Sequence, residues 1–213
     1  MKYTLIVGTK EWSSWSLRPY LALRHVGVPF DEIVVPLRAT ATSPEILRYS
    51  PTGRVPVLQA GTRTIWDSLA ICEALNDFHP KVGLWPRDPL VRAEARAYAA
   101  EMHSGFPDLR DQLSMEFARR LPLPQLRDAT KAQIARVVDA WEATLARYRG
   151  VGDYLFGRFS IADCMYAPVV SRFTTYGVEV PKRSRAYMEA IWALPAMQDW
   201  RKAAQEEIDA GLA

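Results

Sequence analysis

Blocks of short-period and helical-period apolar positions alternate through the first third of the chain. Tyr3 to Gly8 is a β-branched and aromatic run closed by glycine, the pattern of a strand. The polar stretch Thr9 to Ser14 follows. Trp15 to Val26 then carries helical spacing, with Leu17, Leu21, Leu23 and Val26 among its apolar positions. Gly27 stands where such a helix ends in a left-handed residue. Asp31 to Pro36 predicts a second strand, and the stretch joining the two has the size of a βαβ crossover. Ser43 to Ser50 predicts a short helix opened by Ser-Pro. Val55 to Gln59 is strand-like, with Pro56 confined to its start or to an edge because proline donates no ladder hydrogen bond. A turn near Gly61-Thr62 leads to Arg63-Thr64-Ile65 and completes a hairpin. Asp67 to Phe78 returns to helical spacing, with Leu69, Ala70, Ala74 and Leu75 assigned to one face.

His79 to Pro89, rich in proline and glycine, breaks the pattern and marks a domain boundary. Only helical periodicity follows. Leu90 to about Glu116, Ala129 to Arg149, Ser160 to about Arg172, Ser184 to Ala193 and Pro195 to about Asp209 each predict a helix. The expected architecture is a β-α-β-(α)-β-β-α domain over residues 1–80, a linker over 81–89 and an all-helical bundle over 90–213.

Composition narrows the class. With 213 residues, 49% hydrophobic and 24% charged, the chain can bury a real core and falls outside the disordered range. The net charge of +3 is spread along the sequence, without a dense basic block or nucleic-acid motif, and mildly favours small anionic ligands. No apolar run approaches the ~20 residues needed to cross a bilayer, and MKYTLIVG lacks the length of a signal peptide. A cytoplasmic protein without membrane partners is the expectation. Cys72 and Cys164 sit in apolar helical patterns and read as buried thiols, and there is no CxxC. His25, His79 and His103 are scattered, with no ligand spacing for a metal. A Gly-rich phosphate loop is absent.

Three local sequences carry the candidate chemistry. Trp12-Ser13-Ser14-Trp15-Ser16-Leu17-Arg18-Pro19 follows the first strand, so its serines either cap a helix or offer hydroxyls at a positive helix end. Thr52-Gly53-Arg54-Val55-Pro56-Val57-Leu58 leads into the hairpin, and Trp66-Asp67-Ser68-Leu69-Ala70-Ile71 opens the next helix. Their order and spacing resemble the cytosolic glutathione transferase family. The first loop is similar to the SSCS-type active-site loop of zeta-class and related bacterial members, with Trp15 where that motif has cysteine.

The resemblance implies a thioredoxin-like glutathione-binding domain followed by the helical domain, with glutathione as co-substrate. Carried over residue by residue, Ser13 stabilises the glutathione thiolate, and Ser14 lies beside it. Val55, before a cis Pro56, offers its backbone to the cysteinyl part like an added strand. Arg54 either meets the glycyl carboxylate or is a solvated surface charge. Ser68 suits the γ-glutamyl carboxylate and Asp67 its ammonium; both also make good helix caps. The second substrate is expected near Trp12, Met102, His103, Phe106 and Leu109. Zeta-class members place an arginine beyond the buried apolar helix to meet an acidic substrate; here Arg172 is the counterpart, at a different spacing. Leu84-Trp85-Pro86, and Phe159-Ser160-Ile161-Ala162-Asp163 with its capping-box pattern, extend the resemblance and read as structural. The implied activity is conjugation, isomerisation or reductive removal on a small electrophile by a homodimer. Maleylacetoacetate isomerase is the most specific form of that activity, and a non-catalytic protein-binding module is the alternative.

Overall fold

A computed structural model describes residues 1–39 and 42–213, apart from the side chain of Ser43. Ser43, read above as opening a helix, thus has its capping role outside the described part. Strand β1 (Tyr3–Gly8) leads through loop 9–13 into α1 (Ser14–Val26), and β2 (Asp31–Val35) returns parallel to β1. Gly27 closes α1 in the left-handed conformation, φ 78°. After α2 (Thr42–Leu47), β3 (Val57–Ala60) and β4 (Arg63–Trp66) form an antiparallel hairpin, and α3 (Ser68–Phe78) follows. The sheet order is β2-β1-β3-β4, with β3 antiparallel to β1. Pro56 lies just before β3, where its missing N–H costs no ladder bond.

The rest is helical: α4 (Pro89–Ser104), α5 (Pro107–Gln112), α6 (Asp128–Arg147), α7 (Ile161–Thr175), α8 (Lys182–Trp192) and α9 (Pro195–Asp209). Two sequence expectations are corrected. The single helix over Leu90–Glu116 is two helices and a coil. Gly105 caps α4, Phe106 takes a left-handed φ of 63°, and Pro107 starts α5, so the chain turns sharply there. Residues 113–127 then run without helix. The buried face of α3 is Ser68, Ile71, Cys72 and Leu75, whereas Ala70 is exposed. Asp67 sits ahead of the helix as its N-cap, so the inward stripe starts at Ser68.

Helix α7 is the axis of the molecule: 14 of its 15 residues are buried, against α1 on one side and α4 on the other. Asp163 reaches back to the Ser160 N–H at 2.8 Å and also accepts from Leu155 N at 3.1 Å. Burial raises its carboxyl to about 6 against those hydrogen bonds. The Ser160 hydroxyl donates to the same carboxylate at 3.0 Å. Leu84 and Trp85 are buried, and the Leu84 carbonyl accepts from Ile161 N, which ties the connecting segment to the start of α7. Among the described residues, no helix is long and apolar enough to cross a membrane.

Candidate functional site

Sheet register brings the three motifs together. Val57 of β3 pairs with Ile6 of β1 on one side and with Trp66 of β4 on the other. One rung further, β1 leaves toward Ser13, β4 leaves into Asp67-Ser68, and Val55-Pro56 enters between them. The Val55-Pro56 peptide is cis. Pro56 is buried and Val55 half-buried, while Arg54 stays exposed.

Ser13 precedes α1 but makes no side-chain cap. Its hydroxyl, almost fully buried, donates to Ser16 Oγ at 2.7 Å, and Ser16 Oγ also accepts from the Gly8 N–H at 3.1 Å. The serine pair is therefore held by β1 while its hydroxyl stays at the positive end of a 13-residue helix.

The loop that delivers Ser13 is fixed from the helical half of the molecule. Glu207 of α9 accepts from Lys10 N at 2.9 Å through one carboxylate oxygen and from Glu11 N at 3.0 Å through the other. Trp200 Nε1 donates to Lys10 O at 2.9 Å, and Phe117 N donates to Glu11 O at 3.1 Å. The Glu11 carboxylate accepts from Ala118 N at 2.8 Å, and Trp12 Nε1 donates to Glu116 at 3.2 Å. Burial pushes Glu11 up to about 7, opposed by the Ala118 amide and helped by the nearby Glu116 charge.

Asp67 adopts φ 74°, a strained conformation for a residue with a side chain. One oxygen caps α3 through Leu69 N and Ala70 N, at 2.9 and 3.1 Å, and the other faces His103 Nε2 at 3.0 Å. Desolvation lowers the His103 pKa, and the nearby Asp67 carboxylate opposes that shift. Ser68, buried at the first turn of α3, accepts from Arg18 NH1 at 3.4 Å.

Behind Ser14, the side chains of Ser14, Arg18, Met102, Leu109, Arg110, Pro168, Val169 and Arg172 close around a tight crevice too narrow to admit a water molecule. Three of its walls are arginines. Among the described residues, none of the three has a carboxylate within ion-pair distance. Arg18 is 0% exposed and Arg172 7%, and Arg18 Nε and NH2 and Arg172 Nε are buried without a hydrogen-bond partner. Burial pushes both guanidiniums down to about 9, and Arg110 adds repulsion to each. Such groups resist neutralisation and are costly to leave unpaired, so the crevice concentrates uncompensated positive charge behind the serine loop. Wider hollows, such as the groove lined by Glu142, Arg149, Lys182 and Arg183, are open to solvent and remote from the motifs.

The structure thus gathers Ser13, Ser14, Pro56, Asp67 and Ser68 at one end of the sheet, with His103, Met102, Leu109 and Arg172 across the seam. Arg172 lies inside the last turn of α7 rather than beyond that helix, because α7 runs on to Thr175. Trp12 is turned to Glu116, with the Arg38 guanidinium 4.0 Å from its ring centroid, and Phe106 is buried at the α4–α5 bend. Neither lines the crevice. Arg18 and Arg110 were missed. Arg18 is four residues beyond Ser14 on a predicted helix, hence on the same face, which was a usable signal. Arg110 had none, because its direction depends on the bend at Gly105-Phe106-Pro107.

Comparison with known proteins agrees with this arrangement. Residues 12–77 match the family described as glutathione S-transferase, N-terminal domain, and residues 124–205 match glutathione S-transferase, C-terminal domain. A probable maleylacetoacetate isomerase of Caenorhabditis elegans is 27% identical over 170 residues, 78% of this chain and 77% of the relative. A zeta-class maleyl pyruvate isomerase, a bacterial glutathione S-transferase solved in its holo form, superposes with a TM-score of 0.74 at 27% identity, covering 96% of this chain and 98% of the other. A glutathione transferase homolog from Burkholderia with bound glutathione gives a TM-score of 0.74 at 26% identity, covering 97% and 99%. With both halves of the chain matched and the motifs gathered at one seam, this protein belongs to the glutathione S-transferase family.

Proposed function

We propose that the protein binds glutathione at the end of the sheet, activates its thiol with Ser13, and delivers the thiolate to a small electrophile that carries a carboxylate. The observation that carries this reading is the arginine cluster directly behind the serine loop: Arg18, Arg110 and Arg172, without a carboxylate partner among the described residues. A free thiol of pKa ~8.5 is mostly protonated at neutral pH, and a helix N-terminus with a hydroxyl donor shifts it toward thiolate. Ser13 supplies that donor by turning its O–H from Ser16 toward the sulfur, while Ser16 donates to Ser13 in return. Val55 pairs its backbone with the cysteinyl unit, Ser68 and the α3 N-terminus take the γ-glutamyl carboxylate, and Asp67 takes the ammonium. Arg54 remains available to the glycyl carboxylate.

The relatives point to one form of this chemistry, the isomerisation of maleyl compounds, in which the thiolate adds to an activated double bond and later leaves. We divide the chain into residues 1–80 and 90–213, joined by 81–89, and place the reaction in the seam between them. A homodimer in the cytoplasm fits two features. Trp66, Phe78, Val82 and Leu90 expose apolar surface along consecutive elements, and Cys72 and Cys164 are buried free thiols. A monomeric mass by light scattering at micromolar concentration overturns the dimer.

The catalytic reading is tested on Ser13→Ala with glutathione titration calorimetry and a conjugation assay. Removing a donor to a developing or stored anion costs about 100-fold in kcat in comparable sites, and that loss is expected here with glutathione affinity within a few-fold. Full turnover in Ser13→Ala overturns the role of Ser13.

A further inference from the structure

Trp15 stands where the active-site loop of related transferases carries a cysteine, and the arrangement of the site gives the exchange a purpose. The indole is about one-third exposed, at the first turn of α1. The Arg18 guanidinium carbon lies 4.3 Å from its ring centroid and the Arg110 guanidinium carbon 4.6 Å. His103 meets it edge-on, with centroids 5.2 Å apart and planes at 84°. One ring therefore touches two of the three crevice arginines and the histidine that holds Asp67.

The two guanidiniums need what the indole provides. Arg18 is fully buried; among the described residues, its one hydrogen bond is the 3.4 Å contact to Ser68 Oγ, and its Nε and NH2 have no partner. Arg110 donates to the backbone carbonyls at the end of α4, Gly105 O at 3.1 Å and Met102 O among them, and these fix its plane. No carboxylate separates the two cations, so their repulsion has to be offset otherwise. An aromatic face does this without consuming hydrogen-bond donors, and it does so more strongly the less water surrounds the cation. An acidic side chain in the same place would pair with the arginines and remove the attraction for an incoming anion. A cysteine offers no face.

We propose that Trp15 is a positioning residue that carries Arg18 and Arg110 on its ring without consuming their hydrogen-bond donors, and thereby sets the preference for carboxylate-bearing electrophiles. The inference rests on the reading of an acidic second substrate, and the test separates the two.

Steady-state kinetics are measured for wild type, Trp15→Leu and Trp15→Phe with 4-chloro-3-nitrobenzoate and with its methyl ester. In both reactions the thiolate carbon–sulfur bond forms and chloride leaves with its electron pair; the ester is intrinsically the more activated, and comparing each variant with wild type on the same substrate cancels that difference. Wild type is expected to show the lower KM for the free acid. Trp15→Leu is expected to raise KM for the acid about tenfold, the size of one or two lost cation–π contacts, with KM for the ester and for glutathione changed less than twofold. Trp15→Phe, with a weaker face, recovers most of the preference and serves as the readout if the leucine variant folds poorly. A free acid still preferred to the same extent in both variants, or an equal loss for acid and ester, overturns the role of Trp15 and leaves the acidic-substrate reading standing. A wild-type enzyme indifferent to the carboxylate overturns that reading, and this inference with it.

Discussion

The seam between the sheet and the helical bundle has two stretches that handle buried charge in opposite ways. Around loop 9–13, almost every polar group is matched: Glu207 takes two backbone N–H groups, Trp200 and Phe117 supply donors to two carbonyls, and Glu116 accepts from both Trp12 and Arg119. Around the crevice, three arginines have no carboxylate partner among the described residues, and two of them, Arg18 and Arg172, keep buried nitrogens unpaired. Matched groups hold a backbone in place, whereas unmatched cations cost stability and persist where a ligand uses them. On the function proposed above, the first stretch is scaffolding for Ser13 and the second is the binding surface.

The largest effect expected from breaking this division comes from Arg172→Met. The side chains are similar in length, and replacing a buried charge that Arg110 repels by an apolar chain removes a desolvation cost, so the fold is expected to be at least as stable as wild type. Turnover of an acidic electrophile is expected to fall about 100-fold in kcat/KM, since a buried hydrogen bond to a charged group and its Coulomb attraction are lost together. Chemical denaturation read beside kinetics checks both halves. A variant less stable than wild type, or one with unchanged kcat/KM for the acid, places Arg172 among the scaffolding.

Glu207→Ala tests the other side. Losing a charged acceptor shared by two amides is expected to cost about 2 kcal/mol of stability. Turnover should fall about tenfold with acidic and neutral electrophiles alike, because a shifted Ser13 affects the thiolate and not the second substrate. Selective loss with the acid alone contradicts the division.

How far each stretch was legible in the sequence follows from the range of its interactions. Gly27 as a left-handed cap, Asp67 as the start of α3 and Asp163 reaching back to residue 160 are local features, and local spacing revealed them. The end of the sheet was legible because its three motifs lie at fixed distances from strands. The bonds that hold loop 9–13 join residues about 100 and 200 positions apart, such as Trp12 with Glu116 and Lys10 with Glu207, and nothing local marks them. The arginine crevice failed for another reason. Leu90 to Glu116 has helical spacing throughout, and the left-handed Phe106 that aims Arg110 inward is unusual for a bulky residue. Arg172 was seen, but as a residue beyond its helix instead of within it.

The smallest expected effect concerns Glu11, the one unbalanced group in the scaffolding. It is fully buried, Oε1 has no partner, and its pKa is raised to about 7. The folded protein therefore binds a proton that the unfolded chain, with a carboxyl near its ordinary value of 4.5, has released. The stability from that proton is fully present below about pH 4.5 and is lost as pH rises through about 7. Glu11→Gln keeps an acceptor for the Ala118 N–H and cannot ionise. Its unfolding free energy is expected to be flatter between pH 5 and 8 than that of wild type, with a relative gain on the order of 1 kcal/mol at the alkaline end. Urea titrations of both proteins at about pH 5.5 and 8 measure the difference directly. A wild-type protein whose stability rises with pH across that window, with no contrast to Glu11→Gln, shows that Glu11 is ionised and paired like its neighbours, and the scaffolding then has no unbalanced charge at all.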